Sequence, residues 1–126
     1  MKPLDIENVL REEVSPLVAF NCIAPPLPVD FTAPLCMFTR VGGSSTSLVV
    51  DAHNVMCHVY GRTWAQATDD ANILAGILKE LQFSSPHISR IDFQTLPYNN
   101  LDPRHVEQPR VSFTIVVTAR SERKDG

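Results

Sequence analysis

Histidine and cysteine are the side chains here best suited to metal or acid–base chemistry, and neither type is spaced for it. The chain carries four histidines and three cysteines. Cys57 and His58 are adjacent on a predicted strand, so they point to opposite faces and cannot easily share an ion. His53 and Cys57 share a face but stand about 13 Å apart along it. His87 and His105 fall near or within loops. No spacing fits the usual zinc pairs, so no metal ligand and no cofactor are expected. Cys22, Cys36 and Cys57, odd in number and without a C-x-x-C, read as buried free thiols.

Nucleophilic chemistry needs an activated residue beside a base. The serines cluster in a Gly-Ser stretch with no G-x-S-x-G elbow. Gly42-Gly43-Ser44-Ser45-Thr46 lacks the lysine of a phosphate-binding loop. Asp69-Asp70 lies on the solvated flank of a predicted helix. Asp51 and Asp102 are a carboxylate pair that could converge, but nothing in the sequence brings them together. A non-enzyme is expected, with no catalytic residue.

Features of a protein contact are stronger. The stretch Pro97-Tyr98-Asn99-Asn100-Leu101-Asp102-Pro103-Arg104-His105-Val106-Glu107-Gln108-Pro109-Arg110 is long, polar and irregular, and sits between two strong strands. A small domain that keeps such a loop usually touches something with it. Tyrosine and arginine are favoured anchors at protein contacts. The loop's candidate anchors are therefore Tyr98, Arg104, His105 and Arg110, while Arg40 beside Gly42-Gly43 reads as a surface ion-pair partner before a rim contact.

The elements that must position these residues can be read from periodicity. Residues 4–15 form a short amphipathic helix with Ile6, Val9, Leu10 and Val14 on one face, ended by Pro16. Residues 18–23 are a strand candidate, followed by a stiff connection with Pro25, Pro26, Pro28 and Pro34. Residues 35–41 read as a strand and residues 42–47 as a flexible turn or hairpin tip. Residues 48–50 and 53–60 are strands with a bend at Asp51-Ala52. On the second, His53, Val55, Cys57 and Val59 share one face; Asn54, Met56, His58 and Tyr60 share the other.

Thr63-Trp64-Ala65-Gln66 fits a capping box that opens the main helix. Trp64, Ala67, Ala71, Leu74, Leu78 and Leu81 make its apolar face, and Gly76 suggests close packing. Ser84-Ser85-Pro86 stops it. Residues 88–96 and 111–120 are strands, the last alternating almost throughout. The expected fold is α+β, in the order α-β-β-β-β-α-β-β: a small mixed or antiparallel sheet, a short N-terminal helix, and one long helix laid across it.

Size and charge bound the rest. At 126 residues the chain is expected to be one domain over residues 1–126, with 120–126 a frayed tail. The net charge of −3 is scattered, with 4 basic and 6 acidic residues in the first half and 7 and 8 in the second. No basic stripe can neutralise phosphates, so specific nucleic-acid binding is not expected. Apolar runs such as Ile115-Val116-Val117 are too short to cross a bilayer, so no membrane partner is expected. Acids follow Met1-Lys2-Pro3-Leu4 directly, so no secretory signal is expected either, and a cytoplasmic setting is.

The order of these features resembles the tail-terminator (tail completion or neck) proteins of long non-contractile-tailed bacteriophages. The resemblance rests on the N-terminal helix, then Leu35-Cys36-Met37-Phe38-Thr39-Arg40-Val41-Gly42-Gly43. It continues through Asn54-Val55-Met56-Cys57-His58-Val59-Tyr60-Gly61-Arg62-Thr63-Trp64-Ala65-Gln66-Ala67, and ends with Pro97-Tyr98-Asn99-Asn100 through Arg104 into the final strand. It covers nearly the whole chain, and its motifs are soft, with no catalytic signature. It implies a structural virion protein that caps the head-proximal end of the tail tube as a ring, commonly of six copies. Such a ring stops tube polymerisation and presents a surface to head-completion or connector proteins. The resemblance implies that the turn with Arg40, Gly42 and Gly43 and the loop with Tyr98, Asn99, Asn100, Arg104 and Arg110 supply parts of the contacts between unlike patches of neighbouring copies. The implied partners are itself, the tail tube protein and those connector proteins; the implied locations are the host cytoplasm during assembly and then the virion tail or neck. Other head–tail joining proteins of the neck are the nearest alternative. A small ligand-binding or enzymatic α+β domain is the alternative from another class, and would require a polar pocket of convergent Asp, His or Tyr groups.

Overall fold

Period-two alternation on two long neighbouring strands organises the chain. The computed structural model, which describes residues 4–45, 47 and 49–121, runs α1 (Ile6–Val14), β1 (Asn21–Ile23), β2 (Leu35–Ser45), β3 (Val50–Tyr60), α2 (Trp64–Ser84), β4 (Ile88–Phe93), β5 (Tyr98–Asn99) and β6 (Arg110–Arg120), with a 3-10 turn at Ser15–Leu17. β3 and β6 pair antiparallel in unbroken register from Val50↔Arg120 to Tyr60↔Arg110. They form the middle of a six-stranded sheet in the order β1-β2-β3-β6-β4, and β5 pairs with β6 beyond the end of β4. β1 runs parallel to β2; the other pairings are antiparallel. The architecture is α+β, as the sequence predicts.

One face of the sheet carries the core. Val55, Cys57 and Val59 of β3 and Val111, Phe113, Ile115, Val117 and Ala119 of β6 point to it, with Cys36 and Phe38 of β2. Ala67, Ala71, Leu74, Leu78 and Leu81 of α2 close over them, and Ile6, Leu10 and Val14 of α1 complete the layer. Each large side chain buried there contributes about 1.5–3 kcal/mol of transfer free energy. Asp5 caps α1 by accepting from the Asn8 amide. Thr63 caps α2 by accepting from the Gln66 N–H, while the Gln66 side chain accepts from the Arg62 N–H, one residue earlier than in the usual capping box.

Several sequence-based boundaries are corrected. Residues 42–45 are not a turn: β2 continues through Gly42 and Gly43 to Ser45. The register shifts between Arg40 and Gly42, and Gly43 has φ 155°, with a would-be Cβ only 2.4 Å from the Ala52 carbonyl oxygen. The glycines permit a bulge and a close strand contact rather than a chain reversal. Asp51-Ala52 is not a bend, since β3 is continuous from Val50, so three strands rather than four precede the main helix. The strand expected over 18–23 shrinks to Asn21–Ile23, and that expected over 88–96 to Ile88–Phe93. The crossing loop contains the short strand β5. Trp64 is 40% exposed instead of core, at the first residue of α2. Gly76 faces outward, with no atom within 4 Å of its would-be Cβ. The tip positions 46 and 48 and the tail 122–126 lie outside the described residues.

Candidate functional site

The second face of the sheet holds the chemistry. Strand parity sends Tyr60 and His58 of β3, and Arg110 and Ser112 of β6, away from the helices, and the β3–β6 register sets them opposite one another as Tyr60↔Arg110 and His58↔Ser112. The crossing loop folds back over this end. The Gly61 N–H donates to the Pro109 carbonyl, and the Gln108 side chain donates to the Gly61 carbonyl. From the other side, the proline-rich connection is pinned by Arg62 Nε donating to the Ala33 carbonyl at 3.2 Å. It brings Phe31 against Tyr60 and His105, with ring centroids 4.8 and 5.2 Å away. Cis peptide bonds precede Pro26 and Pro34 in this connection.

Between these covers lies a polar network. The Tyr60 hydroxyl donates to Asp102 Oδ2 at 3.1 Å, and Arg110 Nη1 stands 3.7 Å from the same oxygen. Arg110 Nε donates to the Asn100 carbonyl at 2.6 Å, and its guanidinium lies 6.0 Å from the Tyr60 ring centroid. The Arg104 backbone N–H donates to Asp102 Oδ1 at 2.9 Å. Ser112 Oγ accepts from Asn100 Nδ2 at 3.2 Å and lies 2.7 Å from His58 Nδ1. Ser112 Oγ keeps its hydrogen and a second lone pair, so it can serve His58 Nδ1 as donor or as acceptor according to the tautomer.

The charges follow from this setting. Burial pushes the Asp102 carboxyl up, but the Arg104 N–H, the Tyr60 hydroxyl and Arg110 outweigh it, and hold it below the usual carboxylate range. Burial, with Arg110 adding to it, pushes His58 down to about 4. Burial likewise raises Tyr60. At neutral pH the site is an ionised Asp102 facing Arg110, beside a neutral imidazole and a neutral phenol.

A cavity of about 450 Å³ opens over the network, lined by Pro25, Pro26 and Leu27 of the connection, by Met37, Thr39, His58, Tyr60 and Arg110 of the sheet, and by Asp102, Arg104 and His105 of the crossing loop. Ser112 and His58 have the contact of a nucleophile and its base. Ser112 is wholly buried, however, and is not among the residues that line the cavity. The network acts as a clamp that fixes the crossing loop to the sheet.

The predicted contact residues separate into two groups. Arg40, Gly42 and Gly43 lie on the outer half of β2, beyond the reach of the three-residue β1, where the Glu7 carboxylate accepts from the Arg40 backbone N–H at 2.8 Å. Tyr98 and Asn99 are exposed on β5 at the opposite edge. Arg104 projects from the loop tip, whereas Asn100 and Arg110 turn inward into the clamp. Asp51 and Asp102 do not converge, being at opposite ends of β3, about 30 Å apart by strand rise. Asp51 is instead held by the Ser121 and Ser45 hydroxyls at 2.6 and 2.7 Å, which keep it below the usual carboxylate range. Sequence reasoning missed Tyr60, His58 and Ser112 as site residues. Their shared face was visible in the alternation; their alignment across two strands 50 residues apart in sequence was not.

Among the described residues no group of three or more His, Cys, Asp or Glu side chains could hold a metal ion, and no helix is long and apolar enough to cross a membrane. No protein-family model matches the chain, and no curated protein matches it.

Proposed function

We propose that this chain is a structural virion protein that caps the head-proximal end of a phage tail tube as a homo-oligomeric ring, of six copies by the resemblance. It stops tube polymerisation and joins the tail to head-completion or connector proteins. One observation carries the reading: five of the predicted contact residues sit on two different edges of one sheet. Arg40, Gly42 and Gly43 mark the β2 edge, and Tyr98 and Asn99 mark the β5 edge, with β3 and β6 between them. The two edges lie three strand spacings apart, about 14 Å. A closed ring needs this arrangement, because each copy must offer one patch to a different patch on the next. The outer flank of α2 adds apolar surface, with Ile73 52% and Phe83 81% exposed.

The test is tube length. Purified protein is added to polymerising tail tube protein, and its own mass is followed by light scattering over a wide concentration range. Shortened tubes with density at one end, or a free ring of six, support the reading. A monomer at every concentration that leaves tube length unchanged overturns it. Binding to connector proteins without any effect on tubes favours another neck protein.

The cavity over Asp102, Tyr60, His58 and Arg110 favours a second reading, a small ligand-binding domain. That reading requires a small polar ligand that raises the melting temperature of the native protein and fails to do so for Arg104→Ala.

A further inference from the structure

Cys22 and Cys36 are direct partners in the parallel β1–β2 ladder. Both belong to the core layer on the helix-bearing face. Neighbouring strands stand about 4.8 Å apart, inside the Cα separation of about 4.4–6.8 Å that a disulfide spans. The third thiol is placed differently. Cys36 faces Val59 on β3, and Cys57 faces Phe38, so Cys36 and Cys57 are diagonal neighbours. Diagonal pairs lie about 7–8 Å apart, beyond that span. Cys57 and Cys22 are separated by a whole intervening strand. Register therefore singles out one of the three possible pairings.

The two thiols are also unequal in access and acidity. Cys22 lies on a three-residue edge strand and keeps 8% exposure, while Cys36 and Cys57 have none. The Cys36 thiol, against the opposing effect of burial and with help from Ser15, holds Cys22 below its ordinary value. Burial pushes Cys36 and Cys57 up. The more acidic and more accessible thiol is the one that attacks first.

We propose that Cys22 and Cys36 are a redox-modifiable pair that hydrogen peroxide converts to an intramolecular disulfide. The Cys22 sulfur attacks one peroxide oxygen; an S–O bond forms, the O–O bond breaks, and the departing hydroxide leaves as water with the thiol proton. The Cys36 sulfur then attacks Cys22; the S–S bond forms, the S–O bond breaks, and a second water leaves with the Cys36 proton. Two thiols lose two electrons and two protons, and one peroxide becomes two waters. The bridge closes the segment from 22 to 36, which contains the Pro25, Pro26 and Leu27 wall of the cavity and the Phe31 ring on Tyr60. Oxidation thus ties the edge strand and one cavity wall to β2. The inference stands independently of the ring reading.

The test treats the full-length native protein with one equivalent of hydrogen peroxide, then denatures, alkylates and maps it by mass spectrometry. The expected result is a loss of about 2 Da and of two of the three free thiols, with a peptide joining Cys22 to Cys36. Dithiothreitol should reverse it. Cys57→Ala should form the same bridge, and Cys22→Ala should form none. Three alkylated thiols after treatment, a link through Cys57, a link between chains, or oxygen added to Cys22 without a bridge would each overturn the proposal. If Cys22→Ala fails to fold, the native map and Cys57→Ala decide it.

Discussion

The Tyr60 hydroxyl donates to Asp102 Oδ2 across 3.1 Å, joining a core strand to a loop 42 residues further on. Asp102 also accepts from the Arg104 N–H and faces Arg110, so three separate segments meet at one carboxylate. A loop that is polar and irregular in sequence is therefore held in one place by a buried charge.

Asp102→Ala should leave Arg110 and the Tyr60 hydroxyl buried without this partner. Removing one member of such a network costs roughly 1–3 kcal/mol, and the urea midpoint should fall accordingly. Hydrogen exchange should quicken at Arg104, whose amide loses its carboxylate acceptor, more than at His105, whose amide bonds to the Asp102 backbone carbonyl that the variant retains. Asp102→Asn should recover only part of the loss: its one carbonyl oxygen can keep the Tyr60 and Arg110 contacts, but its amide NH2 then faces the Arg104 N–H. An unchanged midpoint with unchanged exchange would show that the clamp does not hold the loop.

Stability should fall on mild acidification. His58 is pushed down to about 4 from an ordinary 6.5, chiefly by burial. His53, wholly buried with neither ring nitrogen hydrogen-bonded among the described residues, is lowered by burial and by Arg40. Below about pH 6.5 the unfolded chain takes up protons that the folded chain refuses. Stability is thus full above that pH and declines as pH drops toward 4, by up to about 1.4 kcal/mol per pH unit from His58, with His53 adding in the same direction. Urea midpoints across this range should show the slope, and His58→Gln should flatten it. His53→Leu should flatten it too, and should add about 1 kcal/mol at neutral pH by removing two unpaired polar atoms. A pH-independent midpoint in the native protein would refute the assignment of buried neutral imidazoles.

Much of this was legible in sequence, and the misses have physical causes. The faces of β3 and β6 follow from alternation, and α2 follows from its cap and the spacing Ala67, Ala71, Leu74, Leu78, Leu81. Those are local rules, and they held. Gly42-Gly43 was misread because the same residues that allow a turn also allow a bulge, and only the pairing with Asn54 and His53 decides between them. Trp64 was misread because helical periodicity fixes a direction but not the depth of burial at the first residue of a helix. The clamp was invisible because it depends on register between distant strands and on a loop that folds back. His58 and Tyr60 could be placed on one face, but not opposite Ser112 and Arg110.

The two best-contrasted glycines should respond with opposite signs. Gly43→Ala places a Cβ at 2.4 Å from the Ala52 carbonyl oxygen, at a φ of 155° that side chains rarely adopt. Such strain costs on the order of 1–3 kcal/mol, and the damage should be local to the β2–β3 hairpin. Gly76→Ala meets no atom within 4 Å, on the outer face of a long helix. It should stabilise by roughly 0.5–1 kcal/mol through helix propensity. Thermal melts of the two variants beside the native protein suffice, and equal shifts of the same sign would contradict the bulge geometry.

Tyr98→Ala with Arg104→Ala is the variant that separates folding from assembly. Tyr98 is 41% exposed on β5, and Arg104 is exposed at the loop tip, where only its backbone N–H enters the clamp. Truncating both side chains removes no buried contact, so the melting temperature should stay within about the ±0.5 kcal/mol typical of surface changes. An interface anchored by a tyrosine and an arginine loses more, with each anchor contributing about 2 kcal/mol or beyond at a hot spot. Ring formation or tube capping by the double variant should therefore weaken by at least about tenfold, since each factor of ten corresponds to only about 1.4 kcal/mol. Arg40→Ala, on the opposite edge of the sheet, should weaken assembly separately if one edge docks on the other. Mixing the two variants should then restore a single productive contact per pair, because each supplies the edge that the other lacks. That rescue is specific to a head-to-tail contact between unlike patches: a symmetric contact through either edge alone would give none, and full capping by the double variant would remove this loop from the interface altogether.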